Sequence, residues 1–230
     1  MRVPESATRR RASPLTVLGV LMLVLGLGCL GWVAFQYFGT NVISERAFDS
    51  ERTELRTQWA QPVEAQDPER DATRVGSSTA STVPGDAIAL LRVPAFGADF
   101  EVPVLNGTDL SFLDRGVGHY ASTAAAGEVG NFALAGHRVT HGEPFAQLLT
   151  LDKGDEVVVE TREAIYTYVI DEPPRQLTVQ ESDTWVLDPV PGHPGEQPTQ
   201  ALITLTTCQD LFRSADRSVG FGHLTSTRNK

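Results

Sequence analysis

Ile203-Thr204-Leu205-Thr206-Thr207-Cys208 reads as a β-strand with one apolar face. Successive side chains in a strand point to opposite sides, so Ile203 and Leu205 share one face. Thr204, Thr206 and, if the extension continues, Cys208 share the other. The same parity occurs upstream, where Phe132 and Leu134 alternate with Ala133, Ala135 and His137. Both runs can lean on a core and release a reactive group at their ends. Arg217 follows nine residues after the cysteine. A lone cysteine, a histidine and an arginine on a β framework outline a thiol acyl-transfer site. Each residue also has a plainer explanation. A cysteine at a strand end can be a small buried hydrophobe, a histidine an ordinary surface group, and Arg213 or Arg217 a solvated charge. Local spacing leaves core packing and catalysis both open, and does not say that these groups meet.

The surrounding chain is punctuated in the same way. Short β-type runs occur at 87–93, 100–104, 131–135, 156–161, 164–170, 177–179, 185–187, 201–206 and 218–224, with Gly and Pro between them. Val157, Val158 and Val159 form a buried-type strand, while Tyr166, Tyr168 and Ile170 alternate with Thr167 and Val169. Helical signal is sparse, and 144–149 is the best short candidate. Many short strands with turn residues between them predict an all-β barrel or sandwich.

Ahead of this region, residues 15–35 carry no charge. At about 1.5 Å per residue such a helix is roughly 31 Å long, about the thickness of a bilayer's hydrocarbon core. Trp32 and Tyr37 suit the interface, and Arg2, Arg9, Arg10 and Arg11 precede the segment against Glu5 alone. The positive-inside rule then keeps the N-terminus cytoplasmic and the rest of the chain outside. A cleavable signal peptide would have a shorter apolar region followed by a small-residue site, so an uncleaved anchor is expected.

The chain holds two cysteines. Cys29 falls within the apolar segment, which leaves Cys208 without a disulfide partner outside it. The formal net charge is −10 despite the basic start. An acidic exported domain argues against nucleic acid as its ligand.

Five parts are expected: a cytoplasmic tail at 1–14, the anchor at 15–38, a juxtamembrane segment and flexible linker at 39–83, the catalytic barrel at 84–227 and a tail at 228–230. Ile43, Ala47, Leu55 and Trp59 allow a short helix with one apolar stripe early in the linker; a solvated stalk is the alternative. Residues 61–82 are too polar to build a core.

From Ile88-Ala89-Leu90-Leu91-Arg92-Val93-Pro94 to Leu224 the chain resembles the sortases, the cysteine transpeptidases of Gram-positive cell surfaces. The matching pieces are Gly118-His119-Tyr120, Gly130-Asn131-Phe132-Ala133-Leu134-Ala135-Gly136-His137-Arg138, Gly154-Asp155-Glu156-Val157-Val158-Val159, Trp185-Val186-Leu187 and Thr204-Leu205-Thr206-Thr207-Cys208. The wording around Tyr120 and His137 is most similar to class E sortases of high-GC Gram-positive bacteria. The resemblance implies a closed barrel of about eight strands with short helices, preceded by one transmembrane helix.

It also implies a reaction. Cys208 attacks a threonyl–glycine bond in a C-terminal sorting signal of Leu-Ala-x-Thr-Gly type and forms a thioester, which a cell-wall amine then resolves. His137 is the proton-transfer partner, Arg217 binds the substrate backbone or the oxyanion, Thr207 assists from beside the nucleophile, and Tyr120 shapes the signal's second subsite. Exported proteins bearing that signal and a peptidoglycan precursor or cross-bridge amine are the implied partners. The segment after the cysteine departs from the family wording, which makes Arg213 a rival for Arg217, and residues 187–200 hold an extra Pro/Gly-rich stretch. Asp67-Pro68 is followed by Glu69 rather than an aromatic residue, so the lid of pilus-building sortases is not expected. Hydrolysis of the thioester by water and a non-catalytic surface module are the competing functions. No zinc-type spacing of histidines or cysteines and no calcium loop is recognised in the exported part, so no cofactor or metal is expected. His119, His141 and His223 receive no role.

Overall fold

The computed structural model describes residues 13–61, 86–208 and 215–230. They fall into two compact units divided after Gly39. The first holds helix α1, Pro14–Ala34, followed by a π-helical turn at Phe35–Gly39. Ser13 caps α1 by accepting from the Thr16 amide at 3.2 Å, and Pro14 sits in the first turn, where its missing amide proton costs nothing. None of the α1 side chains is buried. The continuous helical stretch Pro14–Ala60 contains the one segment, among the described residues, that is long and apolar enough to cross a membrane.

The second unit is built on nine strands: β1 Ala87–Arg92, β2 Val102–Asn106, β3 Val117–His119, β4 Gly130–Ala135, β5 Glu156–Glu160, β6 Ala164–Glu172, β7 Thr178–Gln180, β8 Ala201–Cys208 and β9 Asp216–Asn229. Eight of them close in the order β6-β5-β1-β2-β3-β4-β8-β9, with β9 pairing back onto β6. β7 adds to the first residues of β9 as an outer strand. The β2–β3 and β4–β8 pairs are parallel and the others antiparallel. The expected closed barrel is therefore present, and closure leaves its strands few open edges.

Alternation along these strands fills the interior. Phe132, Leu134, Ile203 and Leu205 join Leu91, Val104, Val157, Val159, Tyr168 and Ile170 in the main core. Burial pushes the Tyr168 phenol up to about 12, while its oxygen accepts from the Gly127 amide at 2.7 Å. The opposite face of β8 and β9 is covered by a second apolar cluster in which Val179, Val186 and Val219 are buried.

Two local expectations are corrected, and one strand is unanticipated. The apolar run at 185–187 forms a 3-10 turn, Thr184–Leu187, rather than a strand. Asp183 starts that bend by accepting from the Gln180 amide at 2.8 Å, and the Val186 carbonyl accepts from Asn131 Nδ2 at 3.0 Å. The turn thus caps the polar pair Asn131–Thr204 instead of joining the ladder. Residues 144–149 form no α-helix; a turn leads into a 3-10 turn, Leu148–Thr150, that overlaps their end. Strand β3 had no local signal, because it is three residues long and centred on a glycine. A Cβ on Gly118 would lie 2.3 Å from the Gly107 carbonyl oxygen, so the close approach requires glycine.

Helix α2, Thr40–Ala60, packs on the barrel. Its buried face is Ser44, Phe48, Glu51 and Leu55, one helical stripe of mixed chemistry. Phe48 enters the main core, and Leu55 joins Ala87 and Leu90 in a smaller cluster. Glu51 is fully buried and pairs with Arg115, whose other branch meets Asp86 at 2.8 Å. The linker expected through 61–82 lies outside the described residues beyond Gln61, and so does the rival arginine, Arg213.

Candidate active site

β4 and β8 run parallel in strict register from Gly130↔Ala201 to Ala135↔Thr206. The two chains leave this ladder in step, for His137 stands two residues past Ala135 and Cys208 two past Thr206. Side-chain parity turns both toward the face opposite the main core. The step is held by two bonds. The Gly136 amide donates to the Thr206 carbonyl at 3.1 Å, and Thr207 Oγ1 donates to the Gly136 carbonyl at 2.8 Å.

Arg217 arrives from the other side. Cys208 and Arg217 are directly opposed in the antiparallel β8–β9 ladder. Opposed residues of such a pair share a face, with Cβ atoms about 4.5–5.5 Å apart. The guanidinium also donates to the Asp216 carbonyl at 3.2 Å and lies 3.4 Å from a Glu181 carboxylate oxygen. Cys208 is half-buried and forms no disulfide. The fold thus brings the cysteine, histidine and arginine singled out in the sequence to one end of one face.

Thr207 sits differently from the other candidates. It is buried, on the face away from Cys208, and its hydroxyl is committed to Gly136. Tyr120 follows β3, and its amide donates to the Ala133 carbonyl at 3.0 Å. That continues the β3–β4 pairing of Gly118 with Ala135 and of His119 with Leu134. Tyr120 therefore joins the same face as Ala133 and Ala135, half-buried, on the strand flanking β4.

His119 is structural. It is buried against Phe132 with ring centroids 4.8 Å apart, and its Nε2 donates to the Ala124 carbonyl at 3.0 Å. Burial holds this imidazole below its usual range, against the pull of the Ala124 bond.

The loop after His137 contributes His141, which has no assigned role in the sequence. It leaves His137 and returns at Phe145, whose amide donates to the His137 carbonyl at 2.9 Å. At its apex His141, Gly142 and Glu143 all adopt positive φ, of 58°, 78° and 48°. For the two non-glycine residues this is a strained conformation held by its surroundings. Asn41 of α2 supplies part of the hold: its Oδ1 accepts from the Gly142 amide at 3.0 Å and its Nδ2 donates to Glu143 at 2.6 Å. Phe48 packs where a Gly142 Cβ would be, 2.6 Å from that position.

The result is a stack of imidazoles, with the His137 and His141 centroids 4.9 Å apart. Asp114, just after helix α3 (Leu110–Leu113), faces both. Its Oδ1 is 3.5 Å from His137 Nε2 and 3.6 Å from His141 Nε2. His137 Nε2 is buried and makes no hydrogen bond among the described residues. Burial lowers the His141 imidazole below its usual range, Asp114 opposes that shift and His137 adds to it. His137 and His141 are spaced as a His-x3-His pair, which corrects the expectation that the histidines lack zinc-type spacing, whereas Asp114 carries no local signal.

A closed mixed barrel with a strand-end cysteine, an opposed arginine and an adjacent histidine defines a sortase-type domain. Residues 91–225 match the Sortase domain family model. The chain is 34% identical to sortase SrtE1 of Streptomyces coelicolor over 92% of its own length and 57% of that protein's. It is 32% identical to sortase SrtE2 of the same organism, covering 95% of this chain and 85% of the relative. The crystal structure of S. coelicolor sortase E1 with a tripeptide in the active site superposes with a TM-score of 0.55 at 38% identity, covering 65% of this chain and 94% of that one. The chain belongs to the sortase family of cysteine transpeptidases, and both of these Streptomyces relatives are of the E type. It spans little more than half of the first of them.

Proposed function

We propose that the protein is a membrane-anchored cysteine transpeptidase that cleaves a Thr–Gly bond in a C-terminal sorting signal of Leu-Ala-x-Thr-Gly type. The observation that carries this reading is the convergence of the β4, β8 and β9 ends, with Cys208 opposed to Arg217 and His137 in step with Cys208. The tripeptide named in the active site of S. coelicolor sortase E1 supports a peptide ligand for this end of the barrel.

In the first half-reaction Cys208 Sγ passes its proton to His137 and attacks the threonyl carbonyl carbon. Arg217 donates to the oxygen that gains charge in the tetrahedral intermediate, a role its planar fork suits. The C–N bond breaks, and His137 gives its proton to the departing glycyl amine. A thioester remains on Cys208. In the second half an amine of the cell wall or its precursor attacks that thioester, His137 takes the amine's proton, and the Cys208 sulfur leaves as the acyl group moves on. Tyr120 flanks the site on the strand beside β4 and shapes the pocket for the signal's second residue. Thr207 acts through its bond to Gly136, holding the two reactive strand ends in step.

The apolar helix α1 serves as the anchor, with the arginine-rich N-terminus on the cytoplasmic side and the barrel outside. The substrates are then exported proteins, and the acceptor is a wall amine rather than a nucleic acid.

The test is incubation of the full chain with a sorting-signal peptide and a short amine. Transpeptidation yields the amine-coupled product, which Cys208→Ala abolishes. A free threonine carboxylate as the main product would indicate a hydrolase, and no cleavage at all would indicate a binding module.

A further inference from the structure

Asp114, His137 and His141 offer three ligand atoms that all lie within 4.8 Å of one another. In a tetrahedral zinc site with bonds of about 2.0–2.1 Å, neighbouring ligand atoms are roughly 3.3–3.4 Å apart. The Asp114 oxygen stands 3.5 Å and 3.6 Å from the two imidazole Nε2 atoms, so small rotations bring both pairs to that spacing. These separations are also too long and too poorly aimed for hydrogen bonds, which leaves His137 Nε2 buried without a donor or acceptor among the described residues. A cation between the three groups would satisfy it.

Two further features shape the site for an ion. His141 Nδ1 lies 2.8 Å from Thr140 Oγ1, and with Nδ1 as the donor this outer-sphere bond leaves Nε2 free to ligate. The left-handed apex that stacks His141 on His137 is strained and is held from outside by Asn41. Asp114 is 44% exposed, so a fourth position opens to solvent. Two imidazoles and one carboxylate with an open position suit Zn²⁺ and similar divalent transition metals rather than Ca²⁺ or Mg²⁺, which require mostly oxygen ligands.

We propose that Asp114, His137 and His141 form a divalent transition-metal site that reversibly switches the enzyme off. Its inhibitory part rests on the transpeptidase reading, because a metal held by His137 would keep that imidazole from cycling between its protonated and neutral forms. Removing the metal restores the histidine.

The test uses the full chain in detergent and reads metal binding separately from turnover. Co²⁺ replaces Zn²⁺ as a spectroscopic probe. One equivalent should give the visible bands of a low-coordinate nitrogen and oxygen site, and Zn²⁺ should displace it. His141→Gln and the nearly isosteric Asp114→Asn should each weaken Co²⁺ binding at least about tenfold. Both should raise the Zn²⁺ concentration that blocks acyl transfer by a similar factor. Cys208→Ala should keep the Co²⁺ spectrum unchanged. The proposal is overturned if saturating Co²⁺ gives no such bands, if binding is unchanged in both His141→Gln and Asp114→Asn, or if Cys208→Ala abolishes it, since the thiol would then be the ligand. Normal Co²⁺ binding in a chain with no acyl-transfer activity would instead sink the transpeptidase reading and its inhibitory corollary, leaving the metal site in place.

Discussion

Thr207 Oγ1 donates to the Gly136 carbonyl oxygen across 2.8 Å, so the residue before the candidate nucleophile is bonded to the residue before its histidine. The bond is buried and spans β8 and the end of β4. Thr207→Val keeps the shape of the side chain but removes this donor from a buried carbonyl, at a cost of about 1–3 kcal/mol. Urea unfolding measures that loss. Acyl-enzyme formation should slow in parallel by about tenfold, since about 1.4 kcal/mol of lost alignment is a factor of ten in rate. Thr207→Ser, which restores a hydroxyl, should recover most of both.

Arg217 is opposed to Cys208 in the ladder. If its guanidinium stabilises the oxyanion, Arg217→Ala should lower kcat about 10²–10³-fold. Arg217→Lys should recover only a small part of that, because an ammonium lacks the planar fork. Arg213→Ala should leave kcat within a few-fold. Steady-state kinetics with a sorting peptide and an amine tell the two arginines apart. A larger loss at Arg213 would reverse the assignment.

Acidification should destabilise the barrel through His119. Its folded-state affinity for a proton is lowered by burial, so the unfolded chain binds more protons just below the ordinary value of 6.5. Stability rises with pH wherever the unfolded state holds the extra proton. The contribution of His119 is therefore complete above about pH 6.5 and falls away as pH drops toward the folded-state value. Thermal melts at about pH 7.5 and about pH 5.5, either side of the ordinary imidazole value, should show a lower Tm at the acid end, and His119→Gln should narrow the gap. NMR titration of the His119 ring should give a pKa below 6.5.

Helix α2 reaches the histidine loop through Phe48, which is buried in the main core and packs over Gly142. Phe48→Ala should cost roughly 3–5 kcal/mol, as for other large-to-small core replacements. Hydrogen exchange should rise first in the loop between His137 and Phe145. Unchanged stability would mean that α2 is dispensable to the barrel.

Strand parity makes the arms of the site legible. Alternation around Ile203 and Leu205, and around Phe132 and Leu134, marks which residues face the core, and the structure keeps that assignment. What parity cannot supply is register between distant strands. The β4–β8 pairing joins segments some seventy residues apart in the chain, and no local pattern specifies it. Other differences have local causes. The 185–187 run reads as a strand because Trp185, Val186 and Leu187 are apolar, but Asp183 turns the chain before they can pair. The apolar stripe on α2 runs in the sequence through Ile43 and Ala47, whereas the buried face includes Ser44 and Glu51, and Ile43 is exposed. A polar residue buried by a partner such as Arg115 carries no hydrophobic signal. Asp114 is invisible for a related reason, since its proximity to His137 exists only after β3 pairs with β4.

The central claim is that Cys208 carries the acyl group. The full chain should be mixed with a sorting peptide in the absence of any amine acceptor, quenched in acid and examined by mass spectrometry. A mass increase equal to the acyl group ending at the threonine should appear on the fragment containing Cys208, be released by hydroxylamine and be lost in Cys208→Ala. A cleaved peptide with no adduct at any time point, or an adduct that survives Cys208→Ala, would contradict the claim.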